Sequence, residues 1–186
     1  MNSQDRRLYR DLTRVLITNE EIAEAIAKLS RQLEADYEGK DLVCVCILKG
    51  AVMFFSDLTR ALDLPLTTDY MAISSYGSST KTSGVVRILK DLDHDVLGKD
   101  VLVVEDIVDS GLTLAYIQHV LHQRGAKSVK LVTLLDKPER RRNDLKVDYA
   151  CFRIPNEFVV GYGLDYAEKY RNLPDVGVLD PSIYND

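Results

Sequence analysis

The chain has 186 residues, of which 46% are hydrophobic and 28% are charged. These proportions are ordinary for a globular protein, and we expect residues 1–186 to form a single domain. The formal net charge of −5 argues against a protein whose main task is to grip nucleic acid. The longest apolar run, Leu42 to Leu48, is too short to span a bilayer, and the amino terminus lacks the apolar segment of a secretory signal. We therefore predict a cytoplasmic protein.

Helix and strand patterns alternate along the chain. Thr18 to Glu21 read as a capping box, and apolar residues then recur at helical spacing until Gly39. The continuous apolar run 42–48 is typical of a strand covered on both faces, and a helix is predicted for 51–62. Further strands are predicted around 67–74, 85–89, 101–105 and 128–135, with a helix between the last two that ends at Gly125. This alternation predicts an α/β fold with a largely parallel sheet, helices on both sides and ligands at the carboxyl ends of the strands.

Two groups of residues resemble metal-ligand pairs, and we interpret both as structural. Cys44 and Cys46 point to one face of a predicted strand at a spacing too wide for a relaxed disulfide, and Cys151 stands alone, so buried thiols are favoured over a metal pair. His119 and His122 fall opposite the apolar face of their predicted helix, which favours a solvated surface.

One strand end carries most of the candidate chemistry. The sequence VLVVEDIVDSGLTL at 101–114 places Glu105 and Asp106 directly after an apolar strand, followed by the turn 109–113. Small residues at a strand-to-helix turn expose backbone N–H groups, which form an anion site together with the helix dipole. Carboxylates beside such a site imply an intervening cation, such as Mg²⁺, or a sugar rich in hydroxyls. The plain alternative is an acidic turn in which Asp109 caps a helix that opens near Thr113.

This motif resembles the PRPP-binding signature of the type I phosphoribosyltransferases. Five ordered blocks resemble the hypoxanthine-guanine branch of that family, at 47–58, 73–84, 104–114, 134–138 and 154–174. The resemblance implies the type I phosphoribosyltransferase fold: α/β, with a mostly parallel twisted sheet flanked by helices and a small base-binding hood. It implies purine salvage, in which the 5-phosphoribosyl group of PRPP is transferred to hypoxanthine or guanine and pyrophosphate is released.

The resemblance also implies roles around PRPP and Mg²⁺. Glu105 and Asp106 correspond to residues at the ribose hydroxyls and the metal, with Asp165 as a second metal-associated carboxylate. Asp109 corresponds to the group that accepts the purine N7 proton. The residues that correspond to the 5′-phosphate cradle are Asp109, Ser110, Gly111, Leu112 and Thr113.

Two further segments correspond to the pyrophosphate site and to a lid. Lys49, Gly50 and Arg171 match pyrophosphate contacts, and homologues often hold the peptide before Lys49 in the cis form. The polar segment from Ser75 and Tyr76 to residue 84 matches a loop that closes over the site, although a flexible hairpin loop is the plain alternative.

The base site can be argued in part from chemistry. The ammonium of Lys137 only donates hydrogen bonds, so it matches the O6 acceptor of hypoxanthine or guanine and not the amino group of adenine. Phe158 offers a ring for stacking, with core packing as the alternative. The backbones of Val159 and Asp165 match positions that read the far edge of the purine. In the basic run 137–142, we expect residues 140–142 to form a solvated loop.

Two alternative functions remain open at this point. One is an enzyme that prefers xanthine and guanine, and the other is a regulator of the same fold that binds nucleic acid. We favour an enzyme whose partners are PRPP and a 6-oxopurine base, with no membrane or nucleic-acid partner. The family resemblance implies a homodimer or a homotetramer.

Overall fold

The computed structural model describes residues 7–75 and 86–185 as a chain of alternating strands and helices. In chain order the elements are β1 (Leu12–Ile17), α1 (Asn19–Tyr37), β2 (Leu42–Leu48), α2 (Val52–Ala61), β3 (Leu66–Ser75), β4 (Val86–Lys90), β5 (Asp100–Val108), α3 (Leu112–Gln123), β6 (Ser128–Asp136), β7 (Tyr149–Arg153), β8 (Val159–Val160) and β9 (Val176–Leu179). Short 3-10 turns lie at Arg7–Asp11, Pro138–Arg140 and Pro181–Ile183. Within these described ranges, no helix is long and apolar enough to cross a membrane.

The main sheet of the described residues has six strands in the order β4-β3-β2-β5-β6-β7. All neighbouring strands are parallel except β3 and β4, which are antiparallel. The predicted α/β fold with a mostly parallel sheet is therefore confirmed. Because β2, β5 and β6 run in the same direction, their carboxyl ends meet at one edge of the sheet, where the loops that follow them lie side by side.

Strand β2 explains why helices cover both faces of the sheet. Its side chains alternate, so Cys44 and Cys46 pack in one cluster with α1 and α2, whereas Val43 and Val45 pack in another with α3. Cys44, Cys46 and the partly buried Cys151 are free thiols. Burial raises the pKa of each to about 12, as befits structural residues.

A second, three-stranded antiparallel sheet forms the predicted hood, in the order β1-β9-β8. It encloses its own small core of Tyr9, Val160, Tyr170, Leu173 and Leu179. The sequence analysis did not predict β1, β7, β8 or β9. These strands are two to six residues long, and their partners are distant in the chain, so local periodicity marks them weakly.

One predicted boundary near the central motif, the end of the strand, was wrong, and the predicted start of the helix near Thr113 is confirmed. Strand β5 continues to Val108, because its pairing with β6 extends to Asp136, so Glu105 and Asp106 lie within the strand and not after it. Helix α3 begins at Leu112 and its N-cap is Gly111, which has a φ of +76° and no side-chain cap. Asp109 therefore does not cap the helix. The predicted capping box at Thr18 and Glu21 is confirmed, and His119 and His122 are exposed as expected.

Candidate active site

Two adjoining cavities open at the carboxyl ends of β2, β5 and β6. One has a volume of ≈ 360 Å³ and is lined by the β2–α2 loop, the end of β5 and the turn that follows it. The other has a volume of ≈ 540 Å³ and lies between the β6–β7 connection and the hood. Asp106, Ile107, Asp109 and Asp165 line both cavities. A ligand that fills both would therefore pass directly over Asp109.

Glu105 and Asp106 place two adjacent carboxylates in the floor of the first cavity. Burial raises the pKa of both, and the neighbouring Asp106 carboxylate raises that of Glu105 further. The backbone of Gly50 lies so close that an added Cβ would sit 1.7 Å from Asp106 Oδ2. Only glycine allows this approach, which brings the β2–α2 loop against the carboxylate pair. A cation or hydroxyl donors at this pair would relieve the cost of its burial.

The turn that follows β5 supplies the anion-binding geometry. Ser110, Gly111 and Thr113 line the first cavity at the start of α3. The left-handed conformation of Gly111 lets the chain reverse into the helix while Gly111 lines the cavity. Leu112 is the exception among the predicted cradle residues, because its side chain is exposed and lines neither cavity.

Asp109 lies at the junction of the two cavities. Its Oδ1 atom is 3.7 Å from Lys137 Nζ, and its Oδ2 atom is 4.0 Å from Arg140 Nε. In the described part of the chain, the buried Oδ1 atom has no hydrogen-bond partner. An acceptor left free at this point is suited to a proton donor on a bound ligand.

Lys137 and Phe158, which the sequence analysis assigned to a base site, both line the second cavity. Lys137 is only 6% exposed, and its Nζ donates to the carbonyl of Glu157 at 2.7 Å. Burial lowers the pKa of the ammonium, and Asp109 opposes this effect. Phe158 is 40% exposed, so it is not an ordinary core residue. Val159 is buried in β8 and lines the same cavity with Asp165.

Tyr184 is a cavity residue that the sequence analysis missed. Its ring lies 4.9 Å from that of Phe158, with an interplanar angle of 32°, and it lines the second cavity. Its position depends on Asp180, which caps the 3-10 turn Pro181–Ile183, and on the bond from Leu179 N to the Phe158 carbonyl. No sequence motif links Tyr184 to Phe158, so only tertiary contacts identify it.

Lys49 and Arg171 line the first cavity and share one ion-pair partner, Glu168. Lys49 Nζ is 2.9 Å from Glu168 Oε2, and Arg171 Nη2 is 3.4 Å from Glu168 Oε1. Arg171 also pairs with Asp165 at 2.8 Å. Glu168 was not predicted as a site residue. The Leu48–Lys49 peptide is cis, as its resemblance to the family suggested.

Two predictions, the metal-binding carboxylates and the lid, stay predictions. Glu105, Asp106 and Asp165 line one cavity, but in the ranges 7–75 and 86–185 no group of three acidic, His or Cys residues is arranged to hold a metal. Tyr76 and the rest of the predicted lid lie outside the described residues, and of Ser75 only its place at the end of β3 is described.

The prediction that residues 140–142 form a solvated loop was wrong for Arg141. Arg140 and Arg142 are exposed, but the Arg141 side chain is 14% exposed and forms an ion pair with Asp136. Its Nη1 atom also donates to the carbonyl of Asp109 at 3.2 Å. The error arises because Asp136 and Asp109 approach Arg141 only in the folded chain.

Comparisons with known proteins agree with this geometry. Residues 16–167 match the family described as phosphoribosyl transferase domain, which defines the class of the fold and site. The chain is 51% identical over 174 residues to the hypoxanthine-guanine phosphoribosyltransferase of Bacillus subtilis, covering 94% of this chain and 97% of that protein. It is 52% identical over 179 residues to the bifunctional protein TilS/HprT of Listeria monocytogenes, covering 96% of this chain but only 28% of that protein's length.

Comparison with solved structures also shows similarity to a hypoxanthine phosphoribosyltransferase. A crystal structure of a hypoxanthine phosphoribosyltransferase from Staphylococcus aureus matches with a TM-score of 0.95 and 48% identity, covering 98% of this chain and 99% of that one. The chain belongs to the hypoxanthine-guanine phosphoribosyltransferase family of type I phosphoribosyltransferases.

Proposed function

We propose that the chain is a purine-salvage enzyme that transfers the 5-phosphoribosyl group of PRPP to hypoxanthine or guanine, giving IMP or GMP and pyrophosphate. The observation that carries the proposal is the junction of the two cavities at Asp109. An anion-binding turn lies on one side of this residue, and a buried ammonium with an exposed aromatic ring lies on the other. A phosphorylated sugar and a flat base with a carbonyl acceptor fit these two halves.

PRPP occupies the first cavity in this proposal. The backbone of Ser110 and Gly111 and the hydroxyl of Thr113 bind the 5′-phosphate at the start of α3. Glu105 and Asp106 accept hydrogen bonds from the ribose hydroxyls, which suits a buried pair of carboxylates. Lys49, Gly50 and Arg171 line the end of the cavity nearest the β2–α2 loop and bind the pyrophosphate group.

A divalent cation, which we propose to be Mg²⁺, fits the same donor set. The donors are carboxylate oxygens, the ligands that Mg²⁺ prefers, and the raised pKa values of Glu105 and Asp106 reflect the burial of two adjacent carboxylates. When bound, the metal would stabilise the negative charge of the departing pyrophosphate. Glu105, Asp106 and Asp165 are the carboxylates that would hold it, and substrate oxygens and water would complete its coordination.

The base occupies the second cavity. Lys137 has donors beyond the one used by the Glu157 carbonyl, and it presents them to the O6 atom of the purine. Phe158 stacks on the base, and the backbones of Val159 and Asp165 read its far edge. As the new bond from a purine nitrogen to C1′ forms, the bond from C1′ to pyrophosphate breaks. Asp109 accepts the proton from N7, which raises the nucleophilicity of the base.

The test is a product assay with PRPP, MgCl₂ and hypoxanthine. We expect IMP and pyrophosphate to form in equal amounts, activity to disappear on exhaustive chelation, and added Mg²⁺ to restore it. No nucleotide under these conditions would refute the transfer reaction, and full activity after chelation would refute the metal requirement.

We also propose that the chain acts as one domain and forms a homodimer or homotetramer, which a monomeric mass by light scattering would contradict. The cytoplasmic location stays a prediction.

A further inference from the structure

Three consecutive carbonyl groups of the phosphate-binding turn accept hydrogen bonds from one segment, residues 141–143, which we call the brace. The carbonyl of Asp109 accepts from Arg141 Nη1 at 3.2 Å. The Ser110 carbonyl accepts from the backbone N–H of residue 142 at 3.0 Å. The carbonyl of Gly111 accepts from Asn143 Nδ2 at 3.1 Å. The brace is about 30 residues away in sequence and is not part of either cavity lining.

Peptide geometry gives this arrangement a consequence for the cavity. In a trans peptide the C=O of one residue and the N–H of the next point in opposite directions. The Asp109 and Ser110 carbonyls, directed towards the brace, therefore direct the N–H groups of Ser110 and Gly111 away from it, on the side where these residues line the first cavity. The Gly111 carbonyl, which also accepts from Ala115 N at 3.0 Å, holds Gly111 itself in place and orients the N–H of Leu112, which is 3.4 Å from Ser110 Oγ. In the part of the chain that the structure describes, neither N–H group has a protein acceptor. Both are free to bind an anion.

The brace is itself held in place. Arg141 forms an ion pair with Asp136, which is buried at the end of β6. The Oδ1 atom of Asn143 accepts from Leu145 N at 3.3 Å, which orients its amide towards Gly111. The contact is tight, since a Cβ on Gly111 would lie 2.8 Å from Asn143 Oδ1 and 3.0 Å from Arg141 Cδ.

We propose that Arg141 and Asn143 are positioning residues for the 5′-phosphate, acting through the backbone of the turn. Neither touches the substrate. They fix the orientation of the peptide groups so that the N–H donors are aligned before the anion arrives, which lowers the ordering cost of binding. The inference rests on the proposed function, because it assumes that the anion bound at Ser110 and Gly111 is the 5′-phosphate of a nucleotide or of PRPP.

The experiment compares two ligands that differ only in that phosphate, GMP and guanosine. The ratio of the dissociation constant of guanosine to that of GMP, measured by competition or calorimetry, isolates the contribution of the phosphate. General damage to the base pocket weakens both ligands and leaves the ratio unchanged, whereas loss of the brace lowers the ratio. Arg141→Gln is paired with Arg142→Gln, which removes the same charge from an exposed neighbour whose side chain forms no hydrogen bond or ion pair within the described residues.

We expect Arg141→Gln to lower the ratio by about 10- to 100-fold, the range for hydrogen bonds that involve a charged group. Asn143→Ala, which removes the side-chain bond that holds the Gly111 carbonyl without disturbing the Asp136 ion pair, should lower it by about 3- to 10-fold. Arg142→Gln should leave it unchanged. The KM for PRPP should rise in the first two variants, while the KM for hypoxanthine at saturating PRPP stays within about 2-fold, less than the loss of one hydrogen bond.

The outcomes separate the inference from the proposed function. A wild-type protein that binds GMP, with Arg141→Gln and Asn143→Ala retaining the wild-type ratio, overturns the inference and leaves the function standing. A wild-type protein that fails to bind GMP at all overturns the function. If Arg141→Gln does not fold, Asn143→Ala decides, and an unchanged ratio in that variant overturns the inference.

Discussion

Replacing Asp109 with Asn removes the carboxylate at the junction of the two cavities and preserves the size of the side chain. If Asp109 accepts the purine proton, turnover should fall by roughly 10²–10⁴-fold, the usual contribution of a general base. The structure predicts a small effect on folding. The Asp109 side chain is 45% exposed, its ion pairs with Lys137 and Arg140 are 3.7 and 4.0 Å long, and it does not cap α3. Losing such pairs costs at most about 1 kcal/mol of unfolding free energy.

The assay must separate chemistry from binding. We would measure the single-turnover rate with saturating PRPP and hypoxanthine and the PRPP affinity on the same preparation. Because Asp109 opposes the effect of burial on Lys137, the substitution should lower the pKa of Lys137 further, so the rate is compared across a range of pH. Asp144→Asn, at an exposed position in the β6–β7 connection, is the matched control.

Either of two results would refute this reasoning. An unchanged single-turnover rate in Asp109→Asn would remove the residue from the chemical step. Equal losses of rate and PRPP affinity would make it a binding residue. The predicted pattern is a large loss of rate with PRPP affinity and stability close to those of Asp144→Asn.

Three further predictions concern the base cavity and the fold. Lys137→Gln should raise the KM for hypoxanthine by about 10- to 100-fold, since a charged donor is lost, with PRPP affinity retained; steady-state kinetics test this, and an unchanged KM would contradict it. Tyr184→Ala should raise the KM for the base by about 3- to 10-fold through loss of its stacking on Phe158, and Tyr184→Phe should restore it; equal effects in both variants would argue against stacking. Asp69→Asn should lower the unfolding free energy by about 1–3 kcal/mol at neutral pH, measured by urea denaturation. Burial acts to raise the pKa of Asp69, but hydrogen bonds from the backbone N–H groups of residues 70, 93 and 94 outweigh it and lower the pKa. The stabilisation by Asp69 is therefore present above the ordinary carboxyl pKa and is lost as the pH falls through the lowered value. A difference between the two proteins that persisted in acid would contradict this.

The sequence predicted the parts of the molecule that depend on local patterns. The apolar run of β2 and the capping box of α1 located these elements because burial on both faces and helix capping leave strong local signals. The strand-to-helix turn at 109–113 and Lys137 were identified because their chemistry is visible in the residue types. Lys137, Phe158 and Asp165, which the family resemblance assigned to the base site, all line the second cavity, although their role in base binding stays a prediction.

The remaining parts depend on contacts between distant segments. Arg141 reads as one of three consecutive arginines, and only the approach of Asp136 and Asp109 distinguishes it from Arg142. Tyr184 reaches Phe158 through the fold of the carboxyl-terminal turn. The end of β5 was misplaced because acidic residues disfavour a strand locally, whereas pairing with β6 extends it to Val108.

The most direct test of the central claim is the relative turnover of hypoxanthine, guanine, xanthine and adenine with PRPP and Mg²⁺. The buried ammonium of Lys137 donates and cannot accept, so a base with an amino group at position 6 leaves the N–H that faces this position without an acceptor, although Lys137 keeps its bond to the Glu157 carbonyl. We predict that hypoxanthine and guanine react and that kcat/KM for adenine is lower by on the order of 10⁴-fold, as for other sites built around a buried hydrogen bond. A kcat/KM for adenine comparable to that for hypoxanthine would contradict the assignment of the base cavity and, with it, the proposed function.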